Sequence, residues 1–372
     1  MTAILDAYLF PIGTALVLMP AIAAACALPY AIYSYRRYGA ISLLRTLVFV
    51  SFIFYIQCAY YLVILPLPDP ATMTSEVPLS QYVQPIPFHF VTDILSSSGL
   101  VLSEPGTWPG ALKSFAVLQV LFNVALTVPW GVYLAWYFQL SLKRVLLLSL
   151  ALSLFFEISQ LTGLFGLYPH PYRLFDVDDL LMNTAGGLVG FGIAHVLGRA
   201  LPSRERINKH SRQRAAQVGY LRRFVAFLVD GAIVALLQIL VYLVLPESWP
   251  QRDLAAYAIA LCAYSMLVPA VFAGRTFGKA LVRIAVRRAE GSKGGLPLPL
   301  RIVLRYLLRN IVLVGLALCT AVIAATDDQL IPLVIQLALV LLLVGDLLWG
   351  LRHGKRLIYE RLSGTSQASS II

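Results

Sequence analysis

The chain has 372 residues, of which 59% are hydrophobic and only 13% charged, and its mean hydropathy is strongly positive. A soluble chain of this length would carry far more charge, so an ordinary soluble enzyme or nucleic-acid-binding domain is excluded. The formal net charge of +11 needs no nucleic acid either, because the basic residues cluster between apolar runs of about 20 residues, the length that spans a hydrocarbon core of about 30 Å.

Lipid cannot satisfy open backbone amides, so the apolar runs are read as helices and the fold class as all-α, polytopic in the membrane. In chain order the sequence predicts about nine spans, over 11–33, 43–66, 114–140, 145–166, 178–198, 224–245, 254–273, 307–325 and 330–350. With the N-terminus outside, the basic groups at Arg36, Arg37 and Arg45, at Lys143 and Arg144, and in 199–223, 275–309 and 352–361 all fall inside. Only Lys113, Arg173 and Arg252 of the 29 lysines and arginines are left outside. The positive-inside bias therefore places the N-terminus outside and the C-terminus in the cytoplasm, with the basic loops facing anionic headgroups. The first span carries Asp6 in place of a basic n-region, and its apolar run continues past "AIAAACA" to Tyr35. A cleaved signal peptide is not expected. Cys26, Cys58, Cys262 and Cys319 lie in the expected spans with no C-x-x-C and no histidine at ligand spacing, so they read as small buried hydrophobes, and no metal or cofactor is expected.

The stretch "GRALPSRERINKHSRQRAAQVGYLRR" divides the chain. It gives a five-span membrane domain over 1–198, a basic cytoplasmic linker over 199–222, a four-span membrane domain over 223–366 and a tail over 367–372. The halves show no convincing repeat, which leaves an inverted-repeat transporter without direct support.

Polar residues gather in one passage, "FFEISQLTGLFGLYPHPYRLFDVDDLLMNTAGGLVG". Glu157 lies ~20 Å along the fourth span from Arg144, and Gln160 shares its face at i+3. The chain turns through "GLYPHPYRLF", where two prolines and a glycine end the helix, and Arg173 sits in that turn. Asp176, Asp178 and Asp179 then open the fifth span, where carboxylates complement the helix dipole and its free amides. Asp176, Asp179 and Asn183 share a face, while Gly186, Gly187 and Gly190 let another helix approach closely. These groups converge on the outer third of the membrane between spans four and five. One reading is a structural clip made of Arg173–Asp and Glu157–Asn183 contacts. The other is a site open to the outer face, in which Arg173 holds a phosphate or carboxylate and the acceptors bind sugar hydroxyls or a cationic amine.

The ordered run Glu157, Gln160, Arg173, Asp176, Asp179, Asn183 and Gly187 resembles the VanZ-like proteins, as do "YYLVILPLP", "QPIPFHF" and "FNVALTVPWGVYL". The resemblance covers roughly 40–198. It implies a bacterial plasma-membrane protein linked to resistance against teicoplanin-type lipoglycopeptides, and it supplies no biochemical mechanism. The second half resembles the RDD membrane domain over about 215–366. "RRFVAFLVDGAIV" carries Arg223 and Asp230, "GRTFGKALVRIAV" carries Gly274, Thr276, Gly278 and Lys279, and "RIVLRYLLRN" and "RLIYERLSGTSQ" follow. Tyr359-Glu360 stands where the family has His-Asp, which weakens a proton relay there. Asp230 and Asp346 fall at matched depth, so with Arg223 or Arg309 they form either an ion-paired helix clamp or a shared proton or sodium site. The glycine-rich "AEGSKGGLPLPL" lacks phosphate-loop spacing and reads as a flexible inner loop.

Three function classes follow. The first is a non-enzymatic envelope protein whose outer pocket binds a membrane lipid headgroup, a lipid-linked wall precursor or the lipoglycopeptide itself. The second is an enzyme modifying an envelope lipid with Glu157 as acid or base. No nucleophile with an adjacent base is visible, and His89 and His170 are lone loop histidines. The third is a cation-coupled transporter using Asp230 and Asp346.

Overall fold

The computed structural model describes residues 2–69, 73, 78–101, 103–198, 215, 218–272, 274–290, 296–325, 330–353 and 356–370. The fold is helical with very little sheet. The helices are α1 (Thr2–Tyr38), α2 (Leu43–Ile64), α3 (His89–Ser97), α4 (Trp108–Ala111), α5 (Phe115–Val132), α6 (Leu142–Leu161), α7 (Gly163–Gly166) and α8 (Val177–Leu197). They continue as α9 (Tyr220–Val244), α10 (Arg252–Val271), α11 (Phe277–Leu281), α12 (Leu298–Ala325), α13 (Leu330–His353) and α14 (Ile358–Leu362). Among the described residues, eight helices are long and apolar enough to cross a membrane. The expected span over 254–273 is present as α10 but is not among the eight. Most of the linker expected over 199–222 and the centre of the glycine-rich loop lie outside the described residues.

Two compact units make up the chain, one formed by Met1–Ala25 with Leu43–Ile207 and the other by Cys26–Ser42 with Asn208–Ile372. In the first unit Ala59, Leu126 and Phe156 form a small apolar core shared by α2, α5 and α6, and the Tyr55 hydroxyl donates to the Leu126 carbonyl at 2.8 Å. The closest packing is between α5 and α8, and glycines make it possible. A Cβ added at Gly186 would collide with the Val124 carbonyl oxygen, one at Gly190 with that of Val128, and one at Gly131 with that of Gly187. At Gly187 the obstacle is the Ser149 hydroxyl of α6. In lipid no hydrophobic force draws helices together, so such close backbone contact supplies the dispersion that holds them.

Helix α6 stops at Leu161, short of the expected 166. Thr162 caps the next turn through its hydroxyl, and Gly163, Leu164 and Phe165 adopt left-handed φ values that a right-handed helix cannot contain. Two-residue strands β1 (Val83–Gln84) and β2 (Phe175–Asp176) pair in parallel, which ties the segment after α2 to the start of α8.

The second unit holds sheet that the all-helical reading does not anticipate. Strand β3 (Ile284–Arg288) pairs antiparallel with β4 (Thr365–Ser369), so residues expected as a tail from 367 onward are in part a strand. Ala31 and Tyr35 of α1 pack with Val225, Ala226, Val282 and Ile284. Helix α12 begins at Leu298, well before the expected 307, because Arg301 and Arg305 are buried against partners rather than left in a loop.

Candidate functional site

A cavity of about 390 Å³ opens in the first unit between α2, α5, α6 and α8. Its apolar wall is built from Leu62, Val63, Leu118, Phe122, Leu126 and Phe156, and its polar end from Asn123, Glu157, Gln160, Arg173, Asp179 and Asn183. Five of the residues singled out in the sequence therefore meet on one cavity. A cavity with an apolar body and a few convergent polar groups is the usual form of a small-molecule site.

Each polar group is held by a specific contact. Glu157, 2% exposed, accepts a hydrogen bond from the Asp176 backbone amide at 2.9 Å through Oε2. Gln160 Nε2 donates to the Val63 carbonyl at 3.0 Å, and an Arg173 Nη atom donates to the Leu65 carbonyl at 3.0 Å. Both bonds fasten the end of α2. Asn123 donates its side-chain amide to Asp179 Oδ1. Asn183 donates to the Ser153 hydroxyl at 3.0 Å, Ser153 donates to the Asp179 carbonyl at 3.2 Å, and Thr127 donates to the Asn183 carbonyl at 2.6 Å.

Two contacts expected for a structural clip do not form. Among the described residues Arg173 makes no ion pair with an aspartate, because its guanidinium reaches the carbonyl of Leu65 instead. Asn183 bonds Ser153, one turn below Glu157, and not Glu157 itself. Asp176 and Asp178 stand apart from the large cavity. Asp176 caps α8 by accepting from the Asp178 amide at 2.8 Å, and it also accepts from Gln84 Nε2 at 3.4 Å. Burial pushes the Asp176 carboxyl up, while the bond from the Asp178 amide pulls the other way. The Asp178 carboxylate takes the amides of Phe88 and Phe90 at 2.5 and 2.8 Å, which fastens the N-terminal end of α3. These two aspartates, with Asp93, Asn123 and Asp179, line a second cavity of about 50 Å³. Among the described residues no group of three or more His, Cys, Asp or Glu side chains is placed to hold a metal ion.

A family model for VanZ/LLP1 matches residues 52–198, and one for the RDD family matches residues 218–362. The chain is a VanZ-like protein fused to an RDD family membrane domain. It is a multi-pass protein of the bacterial plasma membrane, linked to antibiotic resistance at the level of the VanZ-like family. No curated protein and no solved structure matches the chain.

In the RDD domain the singled-out carboxylates are each held by their own partners. Asp230 accepts from the Tyr264 hydroxyl, the Thr276 hydroxyl and the Gly278 amide, each at 2.7 Å. Asp346 accepts from the Ile358 amide at 2.8 Å and from Arg361 at 3.4 Å. Each carboxylate is thus held by its own neighbours, and among the described residues neither forms an ion pair with Arg223 or Arg309. Arg223 pairs with Glu360 at 3.1 Å, and Arg305 pairs with the same carboxylate at 2.8 Å. Burial raises the Glu360 carboxyl, but the guanidiniums of Arg305 and Arg223 outweigh it and hold the group below the ordinary carboxylate range. Tyr359-Glu360 is therefore the hub of an ion-pair network. Lys279 donates to the Tyr306 hydroxyl at 2.7 Å, and burial, followed by Arg305 and Arg309, pushes its amine well below the ordinary value.

Sequence reading missed Asn123, which lines the VanZ-like cavity, and Ser153 and Thr127, which hold Asn183 from behind it. Asn123 carries a usable signal, an amide in the middle of an apolar helix. Ser153 and Thr127 carry none, because a lone hydroxyl in a span ordinarily bonds its own helix.

Proposed function

We propose that the VanZ-like domain binds the polar end of an amphipathic envelope molecule, and that resistance to lipoglycopeptides follows from shielding or redistributing that molecule at the membrane surface. Candidates are a lipid headgroup, a lipid-linked wall precursor and the teicoplanin-type antibiotic itself. The positive-inside distribution of lysine and arginine supports an N-terminus outside and a C-terminus in the cytoplasm, with the polar end of the cavity toward the outer leaflet. One observation carries the reading: the cavity joins an apolar wall to a cluster of buried and part-buried carboxylates, amides and one guanidinium. Intramembrane carboxylates are costly to keep and mark a ligand path by default.

The test is direct binding to the full-length, detergent-solubilised protein. A lipoglycopeptide, lipid-linked wall precursors and membrane phospholipids are titrated against wild type and Glu157→Gln. Saturable binding by wild type that weakens at least tenfold in the variant supports the reading. Equal binding by both proteins, or none, overturns it.

A further inference from the structure

We infer that the polar end of the VanZ-like cavity takes a primary ammonium group, borne by a lipid-like molecule whose anionic group sits on Arg173. This rests on the reading of the cavity as a binding site and names the chemistry of its ligand.

The inference comes from an inventory of donors and acceptors. The side-chain amides of Asn123, Asn183 and Gln160 each spend one N–H, and the hydroxyls of Ser153 and Thr127 their single proton, on partners within the protein. The orientation of Asn183 is fixed by its neighbour. The one proton of the Ser153 hydroxyl goes to the Asp179 carbonyl, so that hydroxyl accepts from Asn183 Nδ2 and the amide oxygen faces away from it. That oxygen belongs to a residue only 3% exposed which lines the cavity, and it has no hydrogen-bond partner. Glu157 accepts through Oε2 alone and Asp179 through Oδ1 alone, and neither carboxylate forms an ion pair among the described residues. What remains for a ligand is the open oxygens of Glu157, Asp179 and Asn183, with the Arg173 guanidinium and the Gln119 amide beside them.

Charge points the same way. Two carboxylates, each with one hydrogen bond, face a single arginine, so one negative charge is left to be met by a proton or by a bound cation. A cationic ligand with N–H donors meets that charge and the open acceptors together. A primary ammonium does this with three donors on one compact charge. A quaternary ammonium brings charge without donors, and a hydroxyl brings a donor without charge. A bare cation would leave Leu62, Leu118, Phe122 and Phe156 facing an empty apolar space, which an alkyl chain fills. Arg173 retains donors beyond its bond to Leu65 and is suited to the phosphate or carboxylate of a zwitterionic headgroup.

The test uses the purified full-length protein and phospholipids with identical acyl chains bearing phosphoethanolamine, phosphocholine or phosphoglycerol heads, with dodecylamine and dodecyltrimethylammonium as simpler probes. Affinities are read by native mass spectrometry. The ethanolamine lipid binds at least tenfold more tightly than the other two, and dodecylamine outranks its trimethyl counterpart. Asp179→Asn and Glu157→Gln each erase that preference, and Arg173→Gln weakens the ethanolamine lipid while sparing dodecylamine. Equal affinity across the three heads in wild type, a measurement that needs no variant, overturns the inference. If wall precursor or lipoglycopeptide binds in a Glu157-dependent manner while no amine does, the ammonium assignment falls and the binding-site reading stands. If nothing binds in a Glu157-dependent manner, both fall.

Discussion

The two halves of the chain bury similar kinds of polar side chain and treat them differently. In the RDD domain nearly every buried charge is answered from within the protein. Glu360 holds two guanidiniums, Asp230 takes three donors, and Arg222 spends its guanidinium on the carbonyls of Val282, Arg283 and Ala215. In the VanZ-like domain the acceptors at the cavity are left half-used, and the one nearby arginine bonds a backbone carbonyl. Burial and charge alone therefore do not distinguish a functional residue from a structural one. The contrast is between polar groups that complete one another and polar groups that need something from outside.

Substitutions put numbers on that contrast. The largest effect is expected at Glu360. Glu360→Gln leaves Arg305 and Arg223 without their shared carboxylate, a loss of about 3–5 kcal/mol for breaking a buried pair, read as a large drop in melting temperature or in folded yield. Because its folded value is depressed, the stabilisation from Glu360 is full above its ordinary value of 4.5 and is lost as the pH falls through the lower folded value. Wild type should destabilise on acidification below about pH 4.5, with the acid sensitivity diminished in Glu360→Gln. Next comes Gly190→Ala, which drives a methyl group into the Val128 carbonyl. A cost of about 1–3 kcal/mol is expected for overpacking, measured by thermal melting. Asp178→Asn removes a charge from the bonds to the Phe88 and Phe90 amides. A loss of about 1 kcal/mol is expected, with faster proteolysis at 86–100 while α8 stays protected. Smallest of all is Glu157→Gln, which keeps an acceptor for the Asp176 amide. Stability should move by less than about 1 kcal/mol while ligand binding is lost. A Glu157→Gln melting shift as large as that of Glu360→Gln would erase the contrast between the halves.

The order of the helices and the meeting of Glu157 with the start of α8 could be read from sequence, because both depend on spacing along one hairpin. Glu157 and Gln160 share a face by helical period, and the turn through Arg173 is short. What lay beyond reach depends on partners distant in sequence. The carbonyls of Val63 and Leu65 that receive Gln160 and Arg173 lie at and just past the end of α2, and a backbone carbonyl leaves no trace in residue type. Asp346 was matched with Asp230 by depth alone, whereas its partners lie just beyond its own helix at Ile358 and Arg361. The strands β3 and β4 pair across most of the RDD domain, and five-residue runs such as "IAVRR" and "TSQAS" announce no partner.

The glycines at 131, 186, 187 and 190 have a mechanical consequence. With backbone against backbone, α5 and α8 cannot slide or tilt past one another without a clash, so they behave as a single plank. The distance from Phe122 on one to Asn183 on the other is fixed, and so is the breadth of that side of the chamber. Room for a bulky guest has to come from the opposite wall, where the bonds from Gln160 and Arg173 are the latches on the end of α2.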